Sequence, residues 1–300
     1  MNILTNTINK QFTRAQDVKI PDVFFRRVKT GIESVDDLFG GAGFVPGFMA
    51  TLAAPAGCGK SSFLLQVLQS LEDKGKKTAF ISGEECLPQL SFSCKRLNVH
   101  SVPLANMVYV EDIEQAIIEH KVEFVVLDSY PTIQAKVKMN SREREDYIIN
   151  RLVTLAKNHE VCIFIIMHYT KSGTFKGSTA LNHAVDCFFT IEKNPDDFNL
   201  RDIMIHKNRF GSCGFTTLHF GSDGYDFEVV EVDNPIQKKS KKTSKRDLVL
   251  GVLDTDKTMA QIANESGVNG SYLTTLMRDL VTQGAVQKNG RGAEATYKKL

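Results

Sequence analysis

The stretch Ala54-Pro55-Ala56-Gly57-Cys58-Gly59-Lys60-Ser61 constrains this chain more than any other. An apolar run precedes it (Phe48 to Ala53) and a helical run follows it (Phe63 to Leu68). Strand, loop and helix in that order are the context that a phosphate-binding loop requires. Gly57 and Gly59 let the backbone turn its N–H groups towards an anion, and the following helix adds its positive end. Lys60 is placed for the β- and γ-phosphates of a nucleotide and the Ser61 hydroxyl for Mg²⁺, with Ser62 closing the segment. The stretch reads as a nucleotide-phosphate site.

Composition narrows the class. Three hundred residues allow one large domain or two, with a sizeable core. No run approaches the ~18 uninterrupted apolar residues of a membrane helix, and Met1 to Lys19 lacks the apolar centre of a signal peptide. The cysteines at 58, 86, 94, 162, 187 and 213 are scattered and never form a Cys-x-x-Cys pair. That argues against zinc and against a disulfide framework, and suits a reducing cytoplasm. Charge is uneven: Gln237 to Leu300 carries 12 basic against 6 acidic residues, a net +6, whereas Met1 to Ile236 carries 25 against 29, a net −4. A basic tail domain on a slightly acidic core suggests that the tail meets a polyanion.

The order of elements predicts an α/β core with a mostly parallel central sheet. Residues 1–28 show little periodicity and read as an arm that a neighbouring surface could order. A short helix around Val35 to Leu38 and a glycine-rich turn at Gly40 to Gly47 feed the first strand. Further strands are expected at Lys77–Ser82, Met107–Val110, Val122–Leu127 and Val161–Met167, with helices at Pro88–Leu97, Asp112–His120 and Arg142–Asn158. Continuous apolar strands separated by helices mean a parallel sheet covered on both faces, and ligands then bind at the carboxyl ends of the strands. Gly83-Glu84-Glu85, Asp128 and His168 all follow such ends. From Cys187 the pattern changes to strands without helices between them, at Cys187–Lys193, Arg201–Lys207, Phe215–Phe220 and Tyr225–Val232, which should extend the sheet as hairpins. The core therefore spans residues 29–234.

Residues 235–245 are a basic linker by composition. Beyond them, Arg246–Leu253, Met259–Glu265 and Ser271–Gln283 make three helical patterns, the last two joined by the tight turn of a helix-turn-helix. A basic hairpin with a glycine tip, Ala285 to Tyr297, completes a winged helix over residues 246–300. Its third helix would offer Tyr272, Thr274, Thr275 and Arg278 to DNA, with Lys288 and Arg291 on the wing. The same fold also serves protein partners.

Cleavage of a bound nucleoside triphosphate needs a metal, a base for the attacking water, and charge against the γ-phosphoryl group. Asp128, after an apolar strand, is the expected carboxylate behind Mg²⁺. Glu84 and Glu85 are expected to end the strand beside the phosphate loop, where a carboxylate polarises water; Glu84 reads as the base and Glu85 as its support.

With these motifs in one order, the chain resembles the RecA superfamily, and within it the ATPase core of the bacterial RadA/Sms proteins, relatives of the DnaB hexameric helicases. The resemblance runs from about Arg27 to Val232 and includes Thr30-Gly31-Ile32, Phe80 to Glu85, Leu127-Asp128-Ser129 and His168 to Gly173. Lys207-Asn208-Arg209-Phe210-Gly211 reproduces a five-residue signature of that family. The resemblance implies a homo-oligomer, a hexameric ring with ATP and Mg²⁺ between neighbours. In it Lys207 and Arg209 reach the next subunit's γ-phosphate, and His168 senses that phosphate. His168 would pass its state to a central DNA-binding loop at residues 169–178, where Lys171 and Lys176 meet the DNA backbone. RadA/Sms proteins also carry an N-terminal four-cysteine zinc module and a protease-like C-terminal domain, neither of which matches this chain.

The reading is thus an ATP-dependent DNA translocase or helicase acting on single strands in recombination, repair or replication. It would work without a membrane, in the cytoplasm, nucleoid-associated or, for a phage protein, within the host. A filament-forming recombinase and an ATP-gated regulator resembling KaiC-like proteins are the alternatives.

Overall fold

The computed structural model describes residues 12–168, 179–230, 245–268, 270–290, 292 and 295–299. The chain divides into two compact units, Met1–Val232 and Asp233–Leu300.

The first unit is built on a sheet with, among the described residues, nine strands. The parallel part comprises β1 (Met49–Ala54), β2 (Thr78–Ser82), β3 (Leu104–Asn106), β4 (Phe124–Asp128), β5 (Cys162–His168) and β6 (Cys187–Lys193). Three antiparallel strands follow: β7 (Leu200–Asn208), β8 (Phe215–Gly221) and β9 (Gly224–Val229). The spatial order is β3-β2-β4-β5-β1-β6-β7-β8-β9. The helices are α1 (Glu33–Leu38), α2 (Lys60–Glu72), α3 (Leu87–Arg96), α4 (Val110–His120), α5 (Ser141–His159) and α6 (Thr179–Ala184).

Alternation within the apolar strands explains why both faces are covered. Successive side chains point to opposite faces. Leu52, Phe124, Val126, Phe164 and Ile166 enter one core, together with Phe63, Leu64, Leu68 and Leu71 of α2. Their neighbours Ala53, Val125, Leu127, Ile163 and Ile165 enter a second core, with Ile113 and Ile117 of α4 and Ile148, Leu152 and Leu155 of α5. Neither face is left to water, so these strands need no polar alternation. Helix α5 starts where Asn140 and Glu143 satisfy each other's backbone N–H groups, a reciprocal cap.

Two expectations shift. Met107–Val110 is not a strand: the edge strand lies earlier, at Leu104–Asn106, and Val110 opens α4 as a buried residue. The run Met-Val-Tyr-Val mimics a strand by its β-branched and aromatic content, but Val110 is claimed by the second core. The arm read as residues 1–28 is attached to its own core at its end. Val23 is buried, Phe24 packs on Phe210 with ring centroids 6.1 Å apart, and Val28 bridges Phe44.

The second unit contains α7 (Lys245–Gly251), α8 (Met259–Ser266) and α9 (Gly270–Thr282), with β10 (Lys257–Thr258), β11 (Val286–Asn289) and β12 (Thr296–Lys299). The strands make an antiparallel sheet ordered β10-β12-β11. Thr258 and Gln261 cap α8 reciprocally, and Gly267 ends it in the left-handed region at φ 69°. Val249, Leu253, Ile262, Leu273, Met277, Leu280 and Tyr297 form a core of its own. Among the described residues, no helix of either unit is long and apolar enough to cross a membrane.

Candidate active site

The carboxyl ends of β1, β4 and β2 bring one group of polar side chains together. Between β1 and α2 the chain turns through Gly57 at φ 73° and Gly59 at φ 82°, values that L side chains rarely adopt. The two glycines serve different needs. A Cβ on Gly57 would meet nothing within 4 Å, whereas one on Gly59 would lie 2.7 Å from the Phe220 ring. Lys60, the first residue of α2, is buried, and its Nζ donates to the carbonyls of Ala54 and Pro55, both at 3.4 Å. Ser61 Oγ donates to Asp128 Oδ2 at 2.8 Å. Ser62 follows on α2, half-buried.

Asp128 ends β4 and is buried. Burial pushes its carboxyl above the ordinary carboxylate value; the Ser61 hydroxyl pulls it back, and the nearby charges of Glu84 and Glu85 push it up further. Lys60 is held below its ordinary value by burial, against the attraction of Asp128. Glu84 accepts a hydrogen bond from the Ser129 hydroxyl. The Ser82 hydroxyl accepts from the backbone N–H groups of Glu84 (3.1 Å) and Glu85 (3.0 Å), so the chain turns tightly after β2. Gly83 N–H donates to the Asp128 carbonyl at 2.7 Å, tying the ends of β2 and β4 together.

One expectation of placement is corrected here. The strand that ends in Glu84 and Glu85 is not beside the phosphate loop: β4 and β5 lie between β2 and β1. Glu84 enters the group from the side of Asp128, by its contact with the Ser129 hydroxyl. Strand order is a long-range property that no local pattern encodes.

The donor set suits Mg²⁺. That ion takes hard oxygen ligands and keeps several waters, needing only one or two protein groups beside phosphate oxygens. Ser61 and Asp128 supply two such oxygens, and the crowding of Asp128, Glu84 and Glu85 leaves negative charge that a divalent cation would offset. Among the described residues no cluster of three or more His, Cys, Asp or Glu side chains is placed to hold a metal by itself.

The backbone of His168 ends β5 level with Ala54; its side chain, and Lys171 and Lys176, lie outside the described residues. Lys207 and Arg209 lie at the other edge of the sheet. Asn208 is in register with Cys187, and Cys187 with Ala50, at the start of β1. Lys207 Nζ donates to the carbonyls of Val185 (2.6 Å), Asn182 (2.9 Å) and His183 (3.4 Å). Arg209 Nη2 donates to His183 O at 2.9 Å, and its Nη1 stands 3.4 Å from Asp186 Oδ1. In the second unit Tyr272, Thr274, Thr275 and Arg278 lie on one exposed stretch of α9. Lys288 lies on β11, its Nζ 5.7 Å from the centre of the Tyr297 ring; Arg291 is outside the described residues.

Sequence reasoning missed Tyr225. It is buried, and its hydroxyl donates to the Cys58 carbonyl, inside the phosphate loop, at 2.7 Å. The two residues are 167 positions apart, so no spacing could have signalled the contact.

No protein-family model matches the chain. It is 35% identical over 197 residues to the DNA repair protein RadA of Aquifex aeolicus, covering 63% of this chain and 43% of that one. It is likewise 35% identical over 221 residues to RadA of Listeria monocytogenes, covering 70% and 46%. The match to RadA of Streptococcus pyogenes is 33% over 236 residues, covering 75% and 50%. The chain thus spans half or less of the length of these curated relatives. Among solved structures, a KaiC-like protein of Pyrococcus horikoshii superposes with TM-score 0.57 at 19% identity, over 69% of this chain and 99% of that one. The ATPase domain of G40P gives 0.58 at 14%, over 69% and 92%. A DnaB-like replicative helicase gives 0.58 at 14%, over 67% and 61%. These likenesses establish the fold.

Proposed function

We propose, from a core that belongs to the RecA superfamily of ATPases, that this protein hydrolyses ATP to move along single-stranded DNA. The observation that carries the reading is the convergence of Lys60, Ser61, Asp128 and Glu84 at the carboxyl ends of β1, β4 and β2. A cation, two metal-suited oxygens and a carboxylate base are the parts that phosphoryl transfer to water requires.

In this reading the N–H groups of residues 56–61 and the Lys60 ammonium bind and orient the phosphates. Ser61 and Asp128 would hold Mg²⁺, which supplies charge neutralisation on the β- and γ-phosphate oxygens when bound. Glu84 takes the proton of the attacking water, and the Ser129 hydroxyl fixes the carboxylate that does so. Glu85 adds negative charge beside it.

Charge for the transferring phosphoryl group would come from Lys207 and Arg209 of the next subunit. Four residue steps along β1 separate Ala50, in line with their turn, from Ala54 at the phosphate loop, about 13 Å along the strand. That separation speaks for a shared site in a ring. His168, level with the loop, is assigned as the phosphate sensor, and Lys171 and Lys176 as contacts to the DNA backbone.

The second unit is read as a winged helix, because three helices and a three-stranded sheet follow one another in the order that fold requires. The net +6 of residues 237–300, most of it in the basic linker, and the exposed row on α9 favour DNA phosphates as partner.

The test is the ATPase rate with and without single-stranded DNA. Stimulation by single strands is expected; weak hydrolysis indifferent to them, with site-specific duplex binding, would favour a KaiC-like regulator. Truncation after Pro235 should weaken DNA binding and flatten its salt dependence, by roughly 0.7 log units of slope for each phosphate no longer neutralised, while basal hydrolysis persists. Equal affinity and slope in the truncated protein would assign the second unit to a protein partner.

A further inference from the structure

Strands β8 and β9 do more than widen the sheet: four contacts tie their hairpin to the phosphate loop and its helix. The Tyr225 hydroxyl donates to the Cys58 carbonyl at 2.7 Å. The Phe220 ring fills the space over the Gly59 α-carbon, where a Cβ would stand 2.7 Å from the ring and 3.0 Å from Tyr225 Oη. The Gln66 side chain, two turns into α2, accepts from Tyr225 N–H at 2.8 Å and donates to Tyr225 C=O at 3.1 Å. Phe63 of α2 packs edge-on against the Tyr225 ring at 5.4 Å, and Phe220 lies 4.7 Å from it. Behind Phe220 stands the buried Arg201 guanidinium, 4.7 Å from its ring centre and bonded to the carbonyls of Phe198 and Leu200.

The hydroxyl contact has a directional consequence. The Cys58–Gly59 peptide is not among the cis bonds, and in a planar trans peptide the C=O and the N–H point opposite ways. A phosphate cradle works only if N–H groups face the anion and carbonyl oxygens face away from it. Glycine at 59, in the left-handed region, leaves this peptide unusually free to rotate. Tyr225 holds the Cys58 oxygen on the hairpin side, and so aims the Gly59 N–H at the opposite side, into the loop.

We propose that Tyr225 is a positioning residue for the nucleotide site, pinning the Cys58 carbonyl so that the Gly59 N–H presents to the phosphates of a nucleoside di- or triphosphate. The ligand is the one assigned above, and the proposal rests on that reading. Phe220 supports the same peptide by contact. The Gln66 pair instead fixes where the hairpin meets α2.

Tyr225→Phe removes the hydroxyl and keeps the packed ring. Binding of a fluorescent ADP analogue and steady-state ATP hydrolysis, measured on the full chain, separate the roles. Removing one hydrogen bond to a buried acceptor should raise Kd and KM about five- to tenfold. Because ground state and transition state are weakened alike, kcat at saturation should stay within about twofold. Gln66→Met should lower the melting temperature yet leave Kd within about twofold. A folded Tyr225→Phe protein with wild-type Kd and KM would overturn the proposal. So would Gln66→Met raising Kd as much as Tyr225→Phe, since hairpin docking in general would then be the cause. A wild-type chain that binds no ADP would instead overturn the nucleotide reading itself.

Discussion

The sheet carries cations at both edges, and they are held in opposite ways. At the carboxyl edge Lys60 is buried beside Asp128, with two carbonyl contacts of 3.4 Å. Those contacts are long for hydrogen bonds, so the ammonium can exchange them for phosphate oxygens at little cost. At the amino edge Lys207 is fixed by carbonyls at 2.6 and 2.9 Å around the end of α6, where a cation also meets the negative end of the helix. Arg209 is different again: its side chain is half exposed, and its ion pair with Asp186 is stretched to 3.4 Å. Asp186 is already served by Lys157 at 2.8 Å and by Met49 N–H at 3.1 Å. Of the two cations in the turn, Lys207 is held by three carbonyls, and the more exposed Arg209 by the His183 carbonyl at 2.9 Å and the longer contact with Asp186. In the proposed ring, the finger role that the family resemblance implies for both would then divide: Arg209 would reach the neighbour, and Lys207 would hold the turn that presents it.

The largest effect should come from breaking the more exposed of the two. Arg209→Ala is expected to lower turnover by about 10³–10⁵, with nucleotide binding and melting temperature near wild type. Lys60→Ala should lose hydrolysis for the opposite reason, at its own pocket. Mixed, the two should recover activity above the sum of either alone, since one supplies the finger and the other a competent loop. Absence of recovery in demonstrated mixed assemblies would point to a self-contained pocket.

Next in size is the base. Glu84→Gln should keep ATP bound and slow its cleavage by about 10²–10⁴. Pre-steady-state binding of an ATP analogue separates the two effects. A greater loss from Glu85→Gln than from Glu84→Gln would exchange their roles, since the hydrogen bond from Ser129 marks only Glu84.

The contrast between the edges also explains what the sequence made legible. The phosphate loop, α2 and the apolar strands declare themselves locally, because loop chemistry and burial on both faces act within a few residues. The order of those strands does not, which is how Glu84 and Glu85 were expected one strand away from the loop when two intervene. Tyr225 and the division between Lys207 and Arg209 depend on carbonyls brought in from distant segments, Cys58 in one case and Asn182 to Val185 in the other. A carbonyl has no side-chain identity, so contacts of this kind leave no trace in residue type.

A smaller effect should separate holding from reaching. Lys207→Met keeps the apolar stem and removes the donor to three carbonyls. It should cost about 0.5–1.5 kcal/mol of stability, whereas Arg209→Ala should cost less, because the Arg209 side chain is half exposed and Lys157 still serves Asp186 at 2.8 Å. Urea unfolding of the two variants measures the difference directly. Equal losses would return both cations to the same role.

The smallest expected change has the reverse sign and lies at the carboxyl edge. Asp128 titrates above the ordinary carboxylate value, chiefly through burial and further through Glu84 and Glu85. A carboxyl whose value rises on folding binds its proton more tightly in the folded chain. Stability therefore falls as pH rises through the window between the unfolded value and the raised folded one, and the loss persists above it. Asp128→Asn keeps an oxygen to accept from Ser61 and abolishes that titration. The nucleotide-free variant should melt higher than wild type at about pH 7 and alike below about pH 4, while losing hydrolysis. Thermal unfolding in the presence of a chelator, at both pH values, tests it. A variant that melts lower at neutral pH would mean that the Ser61–Asp128 contact stabilises the empty pocket more than the crowded carboxylates strain it. The site would then be built for its own stability rather than held ready for a cation.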